Sequence, residues 1–283
     1  MPCPRPSWRS RISSADSNEY ALGSDAAEQE RLIRQAAWLS AHTERFFRAA
    51  GVGAGQRVLD LGSGVGDVSL IAARLVGAAG EVLGAERDPR AVARATARAA
   101  ELRLEHVHFT QADIADLPIE RPFDAVVGRY ILMFLRDPAA VLRSVSRIVR
   151  PGGVIAFQEP CWTSFLQACE ALPLWRASAT LMVDTFHRTG TSTRMGADLP
   201  ATFVAAGLPT PAVHTDTLVG AERWMPDVIQ TLAPQMRALN LAVGSLGNLS
   251  TLYDRLLQEA ESHHVPPPLP AILGAWARKP EGL

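Results

Sequence analysis

Cysteine is scarce in this 283-residue chain: Cys3, Cys161 and Cys169 form no CxxC pair and no zinc-like spacing. An odd number of thiols so arranged implies free or buried cysteines in a reducing cytoplasm, with no metal site expected. Net charge is lacking too. Lys and Arg total 28 against 29 Asp and Glu, a formal −1, which leaves no field to draw nucleic acid or an anionic membrane. No apolar run reaches transmembrane length and the N-terminus carries no signal-like apolar region, so a cytoplasmic protein with no membrane partner is expected. No Gly-Lys-Ser/Thr follows the glycine-rich turn described below, which excludes a P-loop.

What is present is enough apolar residue, 47% of the chain, to bury a full core. One α/β domain with an elaboration fits the length better than two independent domains. Residues 1–19 mix Pro, Ser and Arg without periodicity and read as a disordered tail. Residues 20–50 form a helical cap, in which Ser24 or Asp25 caps a helix from about Ala26 to Ala50. Strands then alternate with helices over residues 51–160: Arg57–Leu61, Glu81–Glu86, Val107–Thr110, Phe123–Gly128 and Val154–Gln158. That rhythm predicts a Rossmann-like, mostly parallel sheet covered on both faces.

Beyond Pro160 the rhythm changes. Residues 161–190 read as irregular helix forming a lid segment, and 191–226 as the rest of the core, with a short helix from Asp198 and a strand Ala212–Val219. Residues 227–268 read as a helical insertion of two helices, Asp227–Val243 and Leu249–His263. Residues 269–283 supply a terminal strand, Ala271–Ala277, and a tail.

The chain is organised around Val58–Asp67, where a short strand enters Gly62-x-Gly64-x-Gly66 and a helix follows. Glycines there let a ligand approach the backbone closely. A dinucleotide fingerprint needs its third glycine where Asp67 stands, and a carboxylate at that point repels a pyrophosphate. A cationic ligand suits the site better, with Asp60 and Asp67 beside the turn. Glu86, ending the second strand, is placed to accept from ribose hydroxyls, and Asp113, after the third, from an exocyclic amine. Asp67 has two readings that stay open, a cap on the following helix and a cofactor contact.

Val58–Asp67, Glu86, Gln111-Ala112-Asp113-Ile114, Phe123–Arg129 and Arg150-Pro151-Gly152-Gly153 together resemble the successive motifs of class I S-adenosylmethionine-dependent methyltransferases. The closest likeness is to the small-molecule group typified by the ubiquinone/menaquinone methyltransferases, over about Gln56 to Pro160. The resemblance implies a seven-stranded sheet whose last strand is antiparallel, and S-adenosylmethionine as cofactor. It implies that Gly62, Ser63 and Gly64 lie against the methionyl part, with Asp60 orienting the turn. Glu86 is then the ribose ligand, Arg87 lies beside the adenine, Asp113 meets its amine and Ile114 flanks the ring. Gly128 and Arg129 border the methionyl end, Tyr130 faces the transferred methyl, and Tyr20 closes over the cofactor. Arg87 departs from the pattern, since an apolar residue often packs on adenine there.

Methyl transfer from a sulfonium is an in-line displacement, and a base is needed only if the acceptor must lose a proton. Tyr130, Glu159 and His187 are the candidate catalytic residues. Against them stand blander roles: shape alone for Tyr130, a cap or salt bridge for Glu159, a structural or exposed histidine for His187. Trp162, Phe165, Trp175, Met182 and Phe186, with Trp224, Met225 and Met236, are set either to line an apolar acceptor pocket or to fill the core. The expected partner is a small, apolar or aromatic metabolite methylated at O, N or C, with a homodimer left open. A nucleic-acid substrate is disfavoured, because Gly128-Arg129-Tyr130-Ile131 stands where base-methylating enzymes carry an Asn/Asp-Pro-Pro-aromatic run. A non-methylating member that uses the cofactor structurally, for cyclisation or rearrangement, is the alternative.

Overall fold

Among the described residues there are seven strands, the inner ones built on apolar runs bounded by turns: β1 (Arg57–Leu61), β2 (Glu81–Glu86), β3 (Val107–Gln111), β4 (Phe123–Arg129), β5 (Val149–Cys161), β6 (Ala212–Thr217), a polar edge strand, and β7 (Ala271–Arg278). In the computed structural model, which describes residues 26–113, 121–218 and 222–281, they make one sheet in the order β3-β2-β1-β4-β5-β7-β6. β1 to β5 pair in parallel, and β7 runs antiparallel between β5 and β6. The mostly parallel sheet with an antiparallel last strand is therefore present as expected.

Side chains alternate across this sheet. Leu59, Val126, Ile155 and Phe157 face one hydrophobic cluster; Val58, Ala125, Val127, Val154 and Ala156 face another. The second cluster is closed by α1 (Ala26–Ala50), α2 (Asp67–Val76) and α3 (Pro89–Glu101), through Phe46, Phe47, Ile71 and Ala99. The first is closed by α4 (Pro138–Ile148), α5 (Trp162–Cys169), α6 (Pro173–Arg188), α7 (Met195–Ala205), α8 (Trp224–Ala238) and α9 (Leu252–Ser262). Local signals start several of these helices. Asp88 accepts from Arg90 N at 3.0 Å and Asp137 from Ala140 N at 2.8 Å, each followed by Pro at the helix start.

Several boundaries differ from the sequence expectation: α7 begins at Met195 rather than Asp198, α8 spans Trp224–Ala238 rather than Asp227–Val243, and α9 spans Leu252–Ser262 rather than Leu249–His263. β5 begins at Val149 rather than Val154, because Val149 pairs with Phe123 before a register shift absorbs the Pro-Gly-Gly turn. The stretch after β5 breaks into α5 and α6, with the second start capped from far along the chain. Ser24, Asp25 and Val219 lie outside the described residues. Among the described residues no helix is long and apolar enough to cross a membrane.

Candidate functional site

The register of the parallel strands brings their carboxyl ends to one edge: Leu61 lies beside Ala85, Glu86 beside Gln111, and Arg129 beside Gln158. Open α/β sheets bind ligands at that edge. Over it lies a cavity of about 520 Å³, roofed by Leu32, Gln35 and Trp38 of α1.

The glycine turn is pinned to its neighbour, since Gly62 N and Ser63 N both donate to Ala85 O, at 2.9 and 3.0 Å. Gly62 (φ +67°), Gly64 (φ +52°) and Gly66 (φ +90°) all sit in the left-handed region. A Cβ on Gly62 would meet Ile131 Cδ1 at 2.5 Å, whereas nothing lies within 4 Å of one on Gly64. Glu86 Oε2 accepts from Gly64 N at 3.0 Å, and Oε1 from Arg87 N and Asp88 N at 2.7 and 3.0 Å. The acid at the end of β2 thus holds the turn in place and still has lone pairs to offer a ligand.

Asp60 is buried behind the turn, where its Oδ2 accepts from Ser69 Oγ at 2.6 Å and ties β1 to α2. Burial lifts its carboxyl to about 7, against the hydrogen bond from Ser69 and the nearby Arg129. Asp67 does not use its side chain to cap α2, whose N-cap is Gly66; it pairs with Arg98 of α3 at 2.7 Å and lines the cavity. Arg98 also donates to Val65 O at 2.6 Å, so it clamps the far side of the turn. Arg129 reaches across to Thr43 Oγ1 of α1 at 2.9 Å. Exposed Arg87 stands 3.9 Å from Asp113 on the rim.

Tyr130 adopts φ +57°, an unusual conformation for a bulky residue, and lines the cavity. The backbone then makes a 3-10 turn, Leu132–Phe134, whose Met133 and Phe134 also line it. Trp162, Phe186 and Trp224 join them. Trp162 packs at 5.6 Å from Phe186 and 5.8 Å from Trp224, ring centre to ring centre. The indole nitrogens of Trp162 and Trp224 are buried without a partner among the described residues. Phe165, Trp175, Met182, Met225 and Met236 instead fill the core beneath.

The structure therefore gathers Gly62, Ser63, Gly64, Glu86, Arg87, Asp113, Arg129 and Tyr130 around one cavity, with Asp60 directly behind. Glu159 and His187 are not among its lining residues. Glu159 is fully buried under the 3-10 turn, and exposed His187 bonds Thr193 Oγ1 at 2.7 Å. Tyr20 and Ile114 lie outside the described residues. The wall contributed by α1 and the Met133–Phe134 turn went unread in the sequence. Gln29 and Gln35, polar residues among the apolar positions of α1, were the available signal.

Strand order, glycine turn and the acid ending β2 define a Rossmann-like methyltransferase core. The chain belongs to the methyltransferase domain family: residues 53–200 match that family's model. It is an S-adenosylmethionine-dependent methyltransferase. Among curated relatives, the ubiquinone/menaquinone biosynthesis C-methyltransferase UbiE of Pseudomonas paraeruginosa is 30% identical over 181 residues, 59% of this chain and 71% of that protein. The arsenite methyltransferase of Halobacterium salinarum is 30% identical over 116 residues, 41% of this chain but only 30% of its own length. Of solved structures, geranyl diphosphate methyltransferase in complex with SAM superposes with a TM-score of 0.54 at 18% identity, covering 92% of this chain and 94% of that one. The [4+2]-cyclase SpnF does so at 0.50 and 20%, covering 86% and 82%. At such identities the structures speak for the fold alone.

The residues present fit S-adenosylmethionine. There is open space at Gly64, Ser63 Oγ is buried without a partner among the described residues, and Asp67, Glu86 and Asp113 give a cationic ligand an acidic rim.

Proposed function

We propose that the methyl acceptor is an uncharged, largely apolar small molecule carrying a ring, seated between the Tyr130–Phe134 turn and the aromatic wall of α5, α6 and α8. One observation carries this reading: the charge of the cavity lining is divided. Its acids and its two arginines, Arg87 and Arg129, come from the strand ends, the glycine turn and the start of α1. The lining residues contributed by the 3-10 turn, α5, α6, α8 and the segment after α6, namely Met133, Phe134, Trp162, Phe186, Trp224 and Val228 with Thr189 and Thr191, include no charged side chain. A phosphate or carboxylate placed there would lose its hydration without gaining a cation, a cost of several kcal/mol.

Bound at the acidic end, S-adenosylmethionine supplies an electrophilic methyl on a sulfonium. The chain's own part is alignment and exclusion of water: the glycine turn fixes one side, and Tyr130 and Ile131 stand between the two ends. The likeness to UbiE favours carbon as the accepting atom. Arsenite is a poorer candidate, because a thiophile calls for sulfur ligands and neither Cys161 nor Cys169, the cysteines among the described residues, lines the cavity.

Calorimetry with S-adenosylmethionine and its demethylated product tests the donor end. Transfer of labelled methyl to 1-naphthol, 1-naphthoate and 1-naphthyl phosphate tests the acceptor end. The neutral compound should be favoured by at least about tenfold in kcat/KM. Preference for either anion would overturn the acceptor reading, and turnover without label transfer would favour the cyclase-like alternative.

A further inference from the structure

Glu159 is a carboxylic acid at 0% exposure near the carboxyl end of β5, and the proposed acceptor site gives it no work. Its contacts are specific. Oε1 accepts from Ile131 N at 3.1 Å and from Leu132 N at 2.8 Å, while Oε2 has no partner among the described residues. Two amides of an irregular turn thus converge on one oxygen, in a region that water does not reach.

What that turn carries matters more. Tyr130 enters it in the left-handed conformation, with its own N–H donating to Gln158 O at 2.9 Å. Ile131 leans on the missing side chains of Gly62 and Gly128, and Met133 O accepts from Ser192 N at 2.8 Å, fastening the turn to the segment between α6 and α7. The partition between the glycine turn and the aromatic chamber is therefore a strained loop, anchored from behind by one side chain. Left-handed backbone at a bulky residue is strained and persists only where its surroundings over-determine it.

We propose that Glu159 is a positioning residue: by accepting the Ile131 and Leu132 amides it holds Tyr130 and Ile131 as the septum that sets the approach of acceptor to methyl donor. It touches neither reactant and moves no proton. Burial lifts its carboxyl to about 8, against the turn's own amides, so near neutrality it is mostly protonated. A protonated acid still accepts through Oε1, and the anchor works in either state. The inference does not depend on which acceptor is used.

Glu159→Gln keeps an accepting oxygen in the same place. Glu159→Met fills the slot with no acceptor for the amides. Hydrogen exchange of the Ile131 and Leu132 amides should be near wild type in E159Q and at least about tenfold faster in E159M. Affinity for S-adenosylhomocysteine should follow, within about threefold in E159Q and weaker in E159M, and so should kcat for whichever naphthalene acceptor is methylated. Two results would overturn the proposal: amide exchange and cofactor-product affinity unchanged in E159M, or methyl transfer abolished in E159Q with exchange intact, the signature of a general base. Loss of S-adenosylhomocysteine binding by the wild-type protein would instead strike at the donor site.

Discussion

Tyr130 shows how one residue can line the site and still be a poor proton acceptor. It lines the cavity, but burial pushes its hydroxyl above the ordinary range for tyrosine, and Arg129 offsets only part of that shift. A phenol held protonated that firmly is a hydrogen-bond donor and a shape; it is no base at neutral pH. Tyr130→Phe should therefore cost less than about tenfold in kcat and leave the pH–rate profile unchanged. Profiles of the two proteins on a common acceptor decide the matter, and disappearance of an acidic or basic limb in the variant would restore the hydroxyl to the chemistry. Asp67 carries a similar lesson. Its carboxylate looked like a cap or a ligand, and it pairs with Arg98, a partner that no local pattern announces.

Elements whose ends are written locally were legible in the sequence. β1 and β2 start and stop where their apolar runs do, and Asp88 and Asp137 mark the helices they cap. The ends of β1 to β4 were enough to bring one side of the cavity together, because parallel register alone carries Asp60, Glu86 and Arg129 to one edge. The chamber was less legible, for its joints are made at long range. α6 begins where both Oε atoms of Glu259, on α9, accept from Leu174 N, and Oε2 also takes Trp175 N, all at 2.9–3.0 Å. Trp175 Nε1 in turn donates to Leu256 O at 2.9 Å. A carboxylate at a helix N-terminus satisfies orphan amides and meets the positive end of the dipole. Glu259→Ala should thus cost about 1–2 kcal/mol and lower the melting temperature by a few degrees. Calorimetric melting checks the first effect. Unchanged affinity for S-adenosylhomocysteine checks that the damage stays in the α6–α9 layer.

At the scale of the whole molecule, the sheet separates two demands: each face needs a dry core, while one edge needs acids. Asp60 and Glu159 sit where these demands collide, on strands whose neighbours are apolar, and both carboxyls are lifted by burial, Asp60 from 3.8 to about 7. Elsewhere the sign is opposite. Asp124 is pushed up by partial burial but held low overall by Arg57 N and the Arg150 guanidinium. Groups like Asp124 stabilise the fold above their unfolded pKa and lose that contribution as the pH falls. Asp60 works the other way. Between pH 3.8 and about 7 the folded carboxyl keeps a proton that the unfolded one has lost, so folding binds the proton and stability declines as the pH rises through that window. The slope is at most about 1.4 kcal/mol per pH unit for one group. Asp60→Asn removes the titration and keeps an oxygen for Ser69 Oγ. The stability of D60N relative to wild type should accordingly rise by a few kcal/mol between about pH 4 and pH 7 and then level off. Urea unfolding of both proteins across that range measures the difference directly. A difference that stays constant with pH would mean that Asp60 ionises in the folded protein as readily as in water, and that the strand ends are wetter than their packing implies.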